Sequence, residues 1–366
     1  MHTIRTTAAL AVVSGVAVAS FATPAGAHPN PTAAAAITHQ PAAAAAGFLA
    51  RQLAGAGKDH LVTTYAGTKY ADDGDTADAI LSMDAAGVAQ SAAKRATAWL
   101  EADATNYAYY TGWYPGGLAK LLLVAEAQHV NPAAFGRHDL LALLAADEGA
   151  GTDAAPGQFQ NPADPGSDSS SVTIQALAVL ALSDTTAATG QPDAAAVSFL
   201  SGQQCTDGEF QNAIRTDTSS DCTDTGDTDA TAYAVQALIA GGDRATARTA
   251  VAWLKGHENA NGGWPASGST TSNANSTALA VEALVAAHHN AGAGITWLEK
   301  RQFGCGAKAA DRGAVAYSGK PTTFNAGEDV RATAQAGAAL AGTPLAWVDK
   351  QEARAPSPTL SCPKKK

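Results

Sequence analysis

The sequence predicts an all-α protein in which six helical hairpins form a closed ring, with one inner and one outer helix in each hairpin. Two alternating series of residues predict the hairpins: a small-residue motif with helical spacing, and a large residue followed by Leu. A further half-repeat follows the sixth hairpin. This half-repeat favours a closed ring, because an open array needs polar capping repeats at both ends.

The first series has Thr, then Ala three residues later, then Leu or Met seven residues later. Offsets of three and seven lie on one face of an α-helix, and the small Ala lets neighbouring helices approach closely. We expect the helices with this motif to be the inner helices. In three copies a capping residue stands two residues before the Thr, and we expect it to be the N-cap: Ser171, Asp229 and Asn275. The six copies begin at Thr76, Gly116, Thr173, Thr231, Thr277 and Thr333.

The second series recurs at intervals of 44 to 56 residues and marks the outer helices. Trp347 follows the last copy by 50 residues, and we expect it to be buried against Phe48 of the first hairpin, where the ring closes. The copies are Phe48-Leu49, Trp99-Leu100, Leu143-Leu144, Phe199-Leu200, Trp253-Leu254 and Trp297-Leu298. Turns that contain Gly and an aromatic residue link the helices at Gly157-Gln158-Phe159, Gly208-Glu209-Phe210 and Gly263-Trp264.

Residues 1–27 have the pattern of a secretory signal peptide, with Arg5 before an apolar segment and Ala25-Gly26-Ala27 as the cleavage site. We expect a disordered lead-in over 28–41, the ring over 42–352 and a C-terminal tail over 353–366. No later segment has the 18 apolar residues that a membrane-spanning helix needs. The chain is therefore expected to be secreted, without a transmembrane segment.

Charge and cysteine content limit the partners. Asp and Glu number 33 against 23 Lys and Arg, so the net charge is −10, which argues against nucleic acid and anionic lipid surfaces as partners. Four cysteines in an exported chain predict two disulfides. Of the three possible pairings we favour Cys205–Cys222 and Cys305–Cys362. No Cys or His spacing predicts a metal site, and no cofactor is expected.

Two segments resemble parts of a known superfamily. Residues 203–210, Gln-Gln-Cys-Thr-Asp-Gly-Glu-Phe, resemble the Q-x-x-x-G-x-W element of prenyltransferase and squalene-oxidase repeats. Residues 227–232, Asp-Thr-Asp-Ala-Thr-Ala, resemble the acidic helix start of class II terpene cyclases. Over roughly residues 42–350, the chain is similar to α/α toroids of the terpenoid cyclase and prenyltransferase superfamily, particularly to exported bacterial repeat proteins. The resemblance implies a fold but not one function, because the superfamily includes cyclases, cobalamin carriers and thioester proteins.

The resemblance also suggests a catalytic acid. It implies that Asp229 would protonate an alkene with Asp227 in support, although Ala230 stands where class II cyclases have a further carboxylate. Such chemistry needs an aromatic lining that stabilises carbocations. Of 22 aromatic residues, only Tyr233 lies on a copy of the inner-helix motif. We therefore favour an N-cap role for Asp229.

An aromatic cluster precedes the second inner helix. We expect it to form either a ligand-binding surface at the mouth of the ring, together with Tyr233, or a packed lid. The cluster consists of Tyr107, Tyr109, Tyr110, Trp113 and Tyr114.

Three other patterns predict neither a metal site nor a thioester. Two acidic clusters are predicted to be solvated loops favoured by helix dipoles rather than metal sites. They are Asp72, Asp73, Asp75 and Asp78, and then Asp217, Asp221, Asp224, Asp227 and Asp229. Cys305 lies in a motif similar to a thioester site, but Lys308 stands where a thioester requires Gln. His288-His289 lacks the partner spacing of a zinc site.

These observations favour an exported toroid whose central cavity binds a small or apolar ligand without catalysis. One alternative is a class II terpene cyclase that uses Asp229 as its acid, although export counts against it because isoprenoid substrates are made inside the cell. Another is a protein that docks onto a component of the cell envelope. A closed, aromatic-lined cavity would favour catalysis, and a wide or polar one would favour binding or docking.

Overall fold

Twelve α-helices dominate the described part of the chain in a computed structural model. The structure describes residues 36–38, 40–151, 153–161, 163, 170–184, 192, 194–218, 221–222, 226–350 and 352–362. All of them belong to one unit, Ala35–Lys366. The predicted signal peptide, residues 1–27, lies outside the described residues.

Six helices form an inner ring. Each contacts the next one along the chain, and the last contacts the first, so the ring is closed. Every one of these helices carries one copy of the Thr-Ala-Leu motif, which confirms the predicted fold class. The inner helices are α2 (Asp73–Ala85), α4 (Pro115–Ala127), α6 (Val172–Asp184), α8 (Thr228–Ala240), α10 (Ala274–Ala286) and α12 (Ala326–Ala341).

The other six helices pack outside this ring, and each carries one copy of the second motif. The Leu of every copy is fully buried, whereas Trp99, Leu143, Phe199 and Trp253 before it are only half-buried. Burying a Leu contributes roughly 1.5–3 kcal/mol, so the Leu anchors each outer helix. The outer helices are α1 (Pro41–Gln52), α3 (Gln90–Ala108), α5 (Leu140–Ala146), α7 (Ala194–Gly202), α9 (Arg244–Gly256) and α11 (Gly292–Glu299).

The recurring Thr anchors the turn that leads into an inner helix. Thr277 is fully buried, and its hydroxyl accepts a hydrogen bond of 2.9 Å from the backbone N–H of Trp264. Thr76, Thr231 and Thr333 accept equivalent bonds from Leu61, Phe210 and Val315. Each Thr thus satisfies a buried backbone donor that would otherwise have no partner.

The ring closes where α1 meets the segment before α12. Gly313, with φ +93°, packs on α1 so closely that any side chain there would collide with the carbonyl oxygen of Ala44. Phe48 packs edge to face on Phe324, with ring centroids 5.6 Å apart. The prediction that Trp347 would be buried against Phe48 is wrong. Trp347 is half-buried beside His288, because its segment turns across the ring instead of along its wall.

Two small sheets complete the fold. Strands β2 (Leu61–Tyr65) and β3 (Thr68–Asp72) form an antiparallel hairpin between α1 and α2. Strand β1 (Ala36–Thr38) pairs in parallel with β4 (Pro358–Leu360). The segment expected to be a disordered lead-in therefore contains a strand and the start of α1, since the C-terminal tail supplies its pairing partner.

Both favoured disulfides are present. Cys205–Cys222 and Cys305–Cys362 each have a Cα–Cα distance of 5.4 Å. Such bonds are typical of oxidising compartments. Among the described residues, none of the helices has the length and apolar character needed to cross a bilayer. The two disulfides are consistent with an extracellular protein.

Candidate functional site

The centre of the ring holds a buried ion pair. The Asp78 carboxylate of α2 accepts a hydrogen bond of 2.7 Å from the Lys120 ammonium of α4 and one of 3.3 Å from the Gln335 amide of α12. Burial by itself lowers the pKa of Lys120, but the neighbouring Asp78 carboxylate outweighs it and the pKa is raised. Lys120 is therefore a fixed positive charge in the middle of the molecule.

Two tyrosines of the predicted binding set lie beside this pair. Burial raises the pKa of Tyr107 to about 12 and also raises that of Tyr233, while the charge of Lys120 opposes both shifts. Tyr107 comes from the last turn of α3 and Tyr233 from α8. The structure thus brings these two phenols together at a polar centre.

A short 3-10 helix, Leu345–Lys350, closes the end of the ring where the inner helices finish. Buried side chains hold this segment and the residues after it through their backbone N–H groups. Glu282 accepts from Leu345 at 3.3 Å, Gln236 from Ala346 at 3.4 Å, and Asp84 from Ala353 at 3.0 Å. We call residues 345–350 and 352–353 the strap.

One small space lies inside the ring, beside the strap and the inner helices α2, α8, α10 and α12. It amounts to about 20 Å³, which is enough for about one water molecule, whereas ligand pockets usually enclose about 300–1,000 Å³. Polar and apolar residues line it in equal number, and burial raises the pKa of Glu282 in that lining to about 8. The lining includes Asp78, Leu81, Tyr233, Glu282, Gln335 and Leu345.

The N-caps of two inner helices differ from those predicted. Asp227 caps α8, because its carboxylate accepts from the N–H groups of Asp229 and Ala230 at 2.8 and 3.0 Å. Asn273 caps α10 in the same way, in place of Asn275. Both helices begin two residues earlier than expected, so the cap prediction is wrong for Asp229 and Asn275. It is confirmed for Ser171, whose hydroxyl accepts from the N–H of Ile174.

Asp229 lies in the first turn of α8 and is not a cap. Burial raises its pKa to about 6, and a hydrogen bond with Ser276 partly offsets this shift. Its Oδ1 is buried with no hydrogen-bond partner among the described residues. A carboxyl in this state can hold a proton near neutral pH and act as an acid, although Asp229 is not among the residues that line the central space.

The interpretation of the first acidic cluster as a solvated loop is wrong. Asp72 caps α2, and Asp75 and Asp78 are buried because α2 is an inner helix packed against α4 and α12. Arg331 of α12 pairs with Asp75 at 3.0 Å. Burial raises the pKa of Asp75 to about 7.

The second acidic cluster is different. Asp221 is exposed, and its carboxylate accepts from the N–H groups of Thr206 and Cys222 beside the disulfide. Asp224 lies outside the described residues. Within the described part of the chain, no group of three or more His, Cys, Asp or Glu residues is arranged to hold a metal ion.

The remaining aromatic residues of the predicted set lie on the rim of the ring. Tyr109 and Tyr110 are exposed just after the end of α3. Tyr109 packs edge to face on Trp113 at 5.3 Å, and Trp113 on His138 at 4.8 Å. Tyr114 stands at the N-cap position of α4. The predicted set therefore divides between a buried centre and an exposed surface, which we call the aromatic rim (residues 109–114).

A groove on the outer wall beside this rim was not predicted from the sequence. It has a volume of about 650 Å³ and lies between α3 and the segment before α5. The helical spacing of Ala98, Ala102 and Thr105 on α3 is a signal for it, since short side chains on an outer face leave space. The lining consists of Ala98, Glu101, Ala102, Thr105, Ala134, Gly136, Arg137 and His138.

The sequence matches no protein-family model and no curated protein. The structure is similar to that of a type II terpene cyclase from Scytonema, with 14% identity and a TM-score of 0.58 over 82% of this chain and 96% of that one. It is similar to an unsaturated glucuronyl hydrolase from Bacillus sp. GL1, with 13% identity and a TM-score of 0.55 over 81% and 95%.

A protein from Actinoplanes is also similar, with 16% identity and a TM-score of 0.56 over 82% of this chain and 98% of that one. At such identities the similarity defines the fold alone. The chain is an α/α toroid, and its fold is shared by cyclases and hydrolases of different chemistry.

Proposed function

We propose that this protein is an exported α/α toroid that binds a small ligand at its aromatic rim, without catalysis. The observation that carries the proposal is the contrast between the inside of the ring and its rim. Beside the Lys120–Asp78 pair and the strap, the space among the described residues is about 20 Å³. The rim, in contrast, exposes Tyr109 and Tyr110 next to an open groove of about 650 Å³.

The polar centre argues against an apolar ligand inside the ring. An apolar molecule beside Asp78, Lys120 and Glu282 would remove water from these groups without replacing its hydrogen bonds, which costs several kcal/mol. Displacing the strap to make room would leave the buried acceptors of Glu282 and Gln236 without partners. Binding at the rim neither removes water from these central groups nor breaks the hydrogen bonds of the strap.

Native mass spectrometry of the protein purified from its own secretion medium tests the proposal. We expect a bound small molecule in the wild type, at least tenfold less of it in a Tyr109→Ala, Trp113→Ala double variant, and no loss in Trp253→Ala. Trp253 is a matched control, since it is a half-buried Trp of the outer helix α9 that packs on a histidine, His257, as Trp113 packs on His138. A ligand that the double variant retains would refute the rim as its site.

A second candidate is a class II cyclase that uses Asp229. Two observations favour it: the Asp229 carboxyl does not cap α8, because Asp227 does, and burial raises the pKa of Asp229 to about 6. Linear isoprenoids, with and without a diphosphate, provide the test. Cyclic product from the wild type that disappears in Asp229→Asn, with unchanged circular dichroism, would establish this function. The charged Asp78–Lys120 pair at the centre of the ring and the absence of Asp229 from the lining of the central space lead us to expect no product.

A further inference from the structure

We infer that the groove between α3 and residues 134–138 is a saccharide-binding site that continues onto the aromatic rim. This inference rests on the proposed function and names the chemical class of the ligand. It also adds Glu101, Arg137 and His138 to the residues that bind it.

The groove has the dimensions of a ligand site. Its volume of about 650 Å³ is within the usual range for small-molecule pockets, and it is far larger than the space inside the ring. One wall is a face of α3 with the short side chains of Ala98, Ala102 and Thr105. The opposite wall is the segment 134–138.

That segment is firmly anchored. Phe135 is fully buried, and its carbonyl accepts a hydrogen bond of 2.9 Å from the N–H of His138 across a tight turn. Gly136, with φ +54°, approaches α3 so closely that any side chain would collide with the carbonyl oxygen of Glu101. The two walls of the groove are therefore fixed relative to each other.

Arg137 occupies a strained position in this turn. Its φ of +71° lies in the left-handed region, which costs a residue with a side chain roughly 1–2 kcal/mol relative to Gly. Strain of this kind is concentrated at ligand sites, where the side chain has a use that offsets the cost. Nothing in the packing of the turn requires Arg here, since the side chain is exposed.

The groove offers polar groups that the described protein does not use. Neither the Glu101 carboxylate nor the Arg137 guanidinium forms an ion pair within the described part of the chain. Burial raises the pKa of Glu101. His138 Nε2 lies 2.9 Å from the Thr105 hydroxyl, and the ring of His138 packs on Trp113. The groove lining thus offers a planar acceptor, the Glu101 carboxylate, and a planar donor, the Arg137 guanidinium. The rings of His138 and Trp113, which pack on each other, provide an aromatic surface beside them.

This combination fits a sugar chain. A pyranose ring presents an apolar C–H face, which stacks on aromatic side chains, and a border of hydroxyls, which suit carboxylate and guanidinium groups. All four exposed large hydrophobic side chains of the described residues are tyrosines, which have an apolar face and a polar tip. They are Tyr65, Tyr70, Tyr109 and Tyr110.

Other ligand classes fit less well. An acyl chain in the groove would leave Glu101 and Arg137 without water or a partner. An anionic lipid surface or a nucleic acid would meet a chain of net charge −10, with Arg137 as the one cation in the groove lining.

Affinity electrophoresis in native gels tests the inference. The full secreted protein is run in gels that contain hydroxyethyl cellulose, xylan, soluble starch or glycol chitin, beside a gel without polymer. We expect retardation by at least one polymer. We also expect retardation to fall at least fivefold in Glu101→Gln, His138→Ala and Arg137→Gly. The matched control is His257→Ala, an exposed histidine that packs on Trp253, and it should be retarded like the wild type.

Arg137→Gly separates a binding role from a structural one. Gly adopts φ +71° without strain, so this variant should unfold at the same temperature as the wild type or higher while it loses retardation. Retardation that persists in Arg137→Gly and Glu101→Gln would overturn the groove as the site.

A parallel titration with the neutral apolar dye N-phenyl-1-naphthylamine distinguishes the two proposals. Dye binding that is lost in the Tyr109→Ala, Trp113→Ala variant, without retardation by any polymer, would overturn the saccharide inference and leave rim binding intact. No retardation, no dye binding and no ligand by mass spectrometry would overturn both.

Discussion

Replacing Thr277 by Val tests the role of the recurring Thr. Val has nearly the same shape but cannot accept the hydrogen bond that the backbone N–H of Trp264 donates over 2.9 Å. Thr277 and Trp264 are both fully buried, so water cannot replace the lost acceptor. An unsatisfied buried donor costs about 1–3 kcal/mol, and we expect Thr277→Val to lower the free energy of unfolding by that amount. Urea denaturation, followed by circular dichroism and Trp fluorescence in non-reducing buffer, measures it.

The ring provides its own control for this experiment. Thr173 has the same place in the sequence motif, but it is the second residue of α6, whereas Thr277 is the fourth residue of α10. The fourth residue of α6 is Gln175, whose side chain accepts the buried N–H of the turn, that of Phe159, at 2.9 Å. Thr173→Val should therefore change the free energy of unfolding by less than about 0.5 kcal/mol. Equal losses in Thr277→Val and Thr173→Val would show that the Thr contributes through helix packing, and the anchoring argument would be refuted.

Three further predictions concern ring closure, pH and capping. Gly313→Ala should destabilise the protein by about 1–3 kcal/mol more than Gly319→Ala in urea denaturation. Both glycines have positive φ, but of the two only Gly313 packs on Ala44. Equal losses of stability in the two variants would argue against ring closure at this contact. The pKa of Glu282 is raised from near 4.5 to about 8 in the folded state. The protonated side chain therefore stabilises the fold fully below pH 4.5. This stabilisation falls by up to about 1.4 kcal/mol per pH unit between pH 4.5 and about pH 8. Glu282→Gln, which retains an acceptor for Leu345, should therefore be more stable than the wild type at pH 9 and similar to it at pH 4, and identical pH profiles would contradict the raised pKa. Asp227→Ala should cost about 0.5–2 kcal/mol through loss of the α8 cap, whereas Asp229→Asn should cost less than about 0.5 kcal/mol, and the reverse order in thermal unfolding would restore Asp229 as the cap.

The helical hairpins could be predicted from the sequence because their signals are local. Offsets of three and seven residues identify a helix face without knowledge of any distant partner, and the alternation of two motifs separates inner from outer helices. The sequence does not identify the N-cap of α8, because Asp227 and Asp229 are both good capping residues. The choice between them depends on where α8 begins. That start is set by the turn before the helix, where the N–H of Asp227 donates to the carbonyl of Phe210.

The site depended on contacts between distant residues, and so less of it could be predicted. Tyr107 and Tyr109 are two residues apart, but α3 ends between them. Tyr107 therefore lies beside Lys120, and Tyr109 lies on the rim. The sequence pattern predicts a solvated cluster for Asp78, because its partner Lys120 is 42 residues away along the chain. The prediction for Trp347 is wrong for a related reason, since buried acceptors of distant residues, Glu282, Gln236 and Asp84, hold its segment across the ring.

The buried pair at the centre explains why this toroid would bind at its edge. Removing one partner from a buried ion pair costs about 3–5 kcal/mol, because the other charge is left without compensation. A ligand that separated Asp78 from Lys120 would incur a cost of this kind before it gained any contact of its own. The strap adds to this cost, since its backbone N–H groups are satisfied by Glu282, Gln236 and Asp84. At the rim and in the groove beside it, in contrast, Tyr109, Tyr110 and Arg137 already face solvent, and a ligand displaces only water. The same closed ring thus fixes the positions of α3 and residues 134–138, and its outer wall remains free to bind.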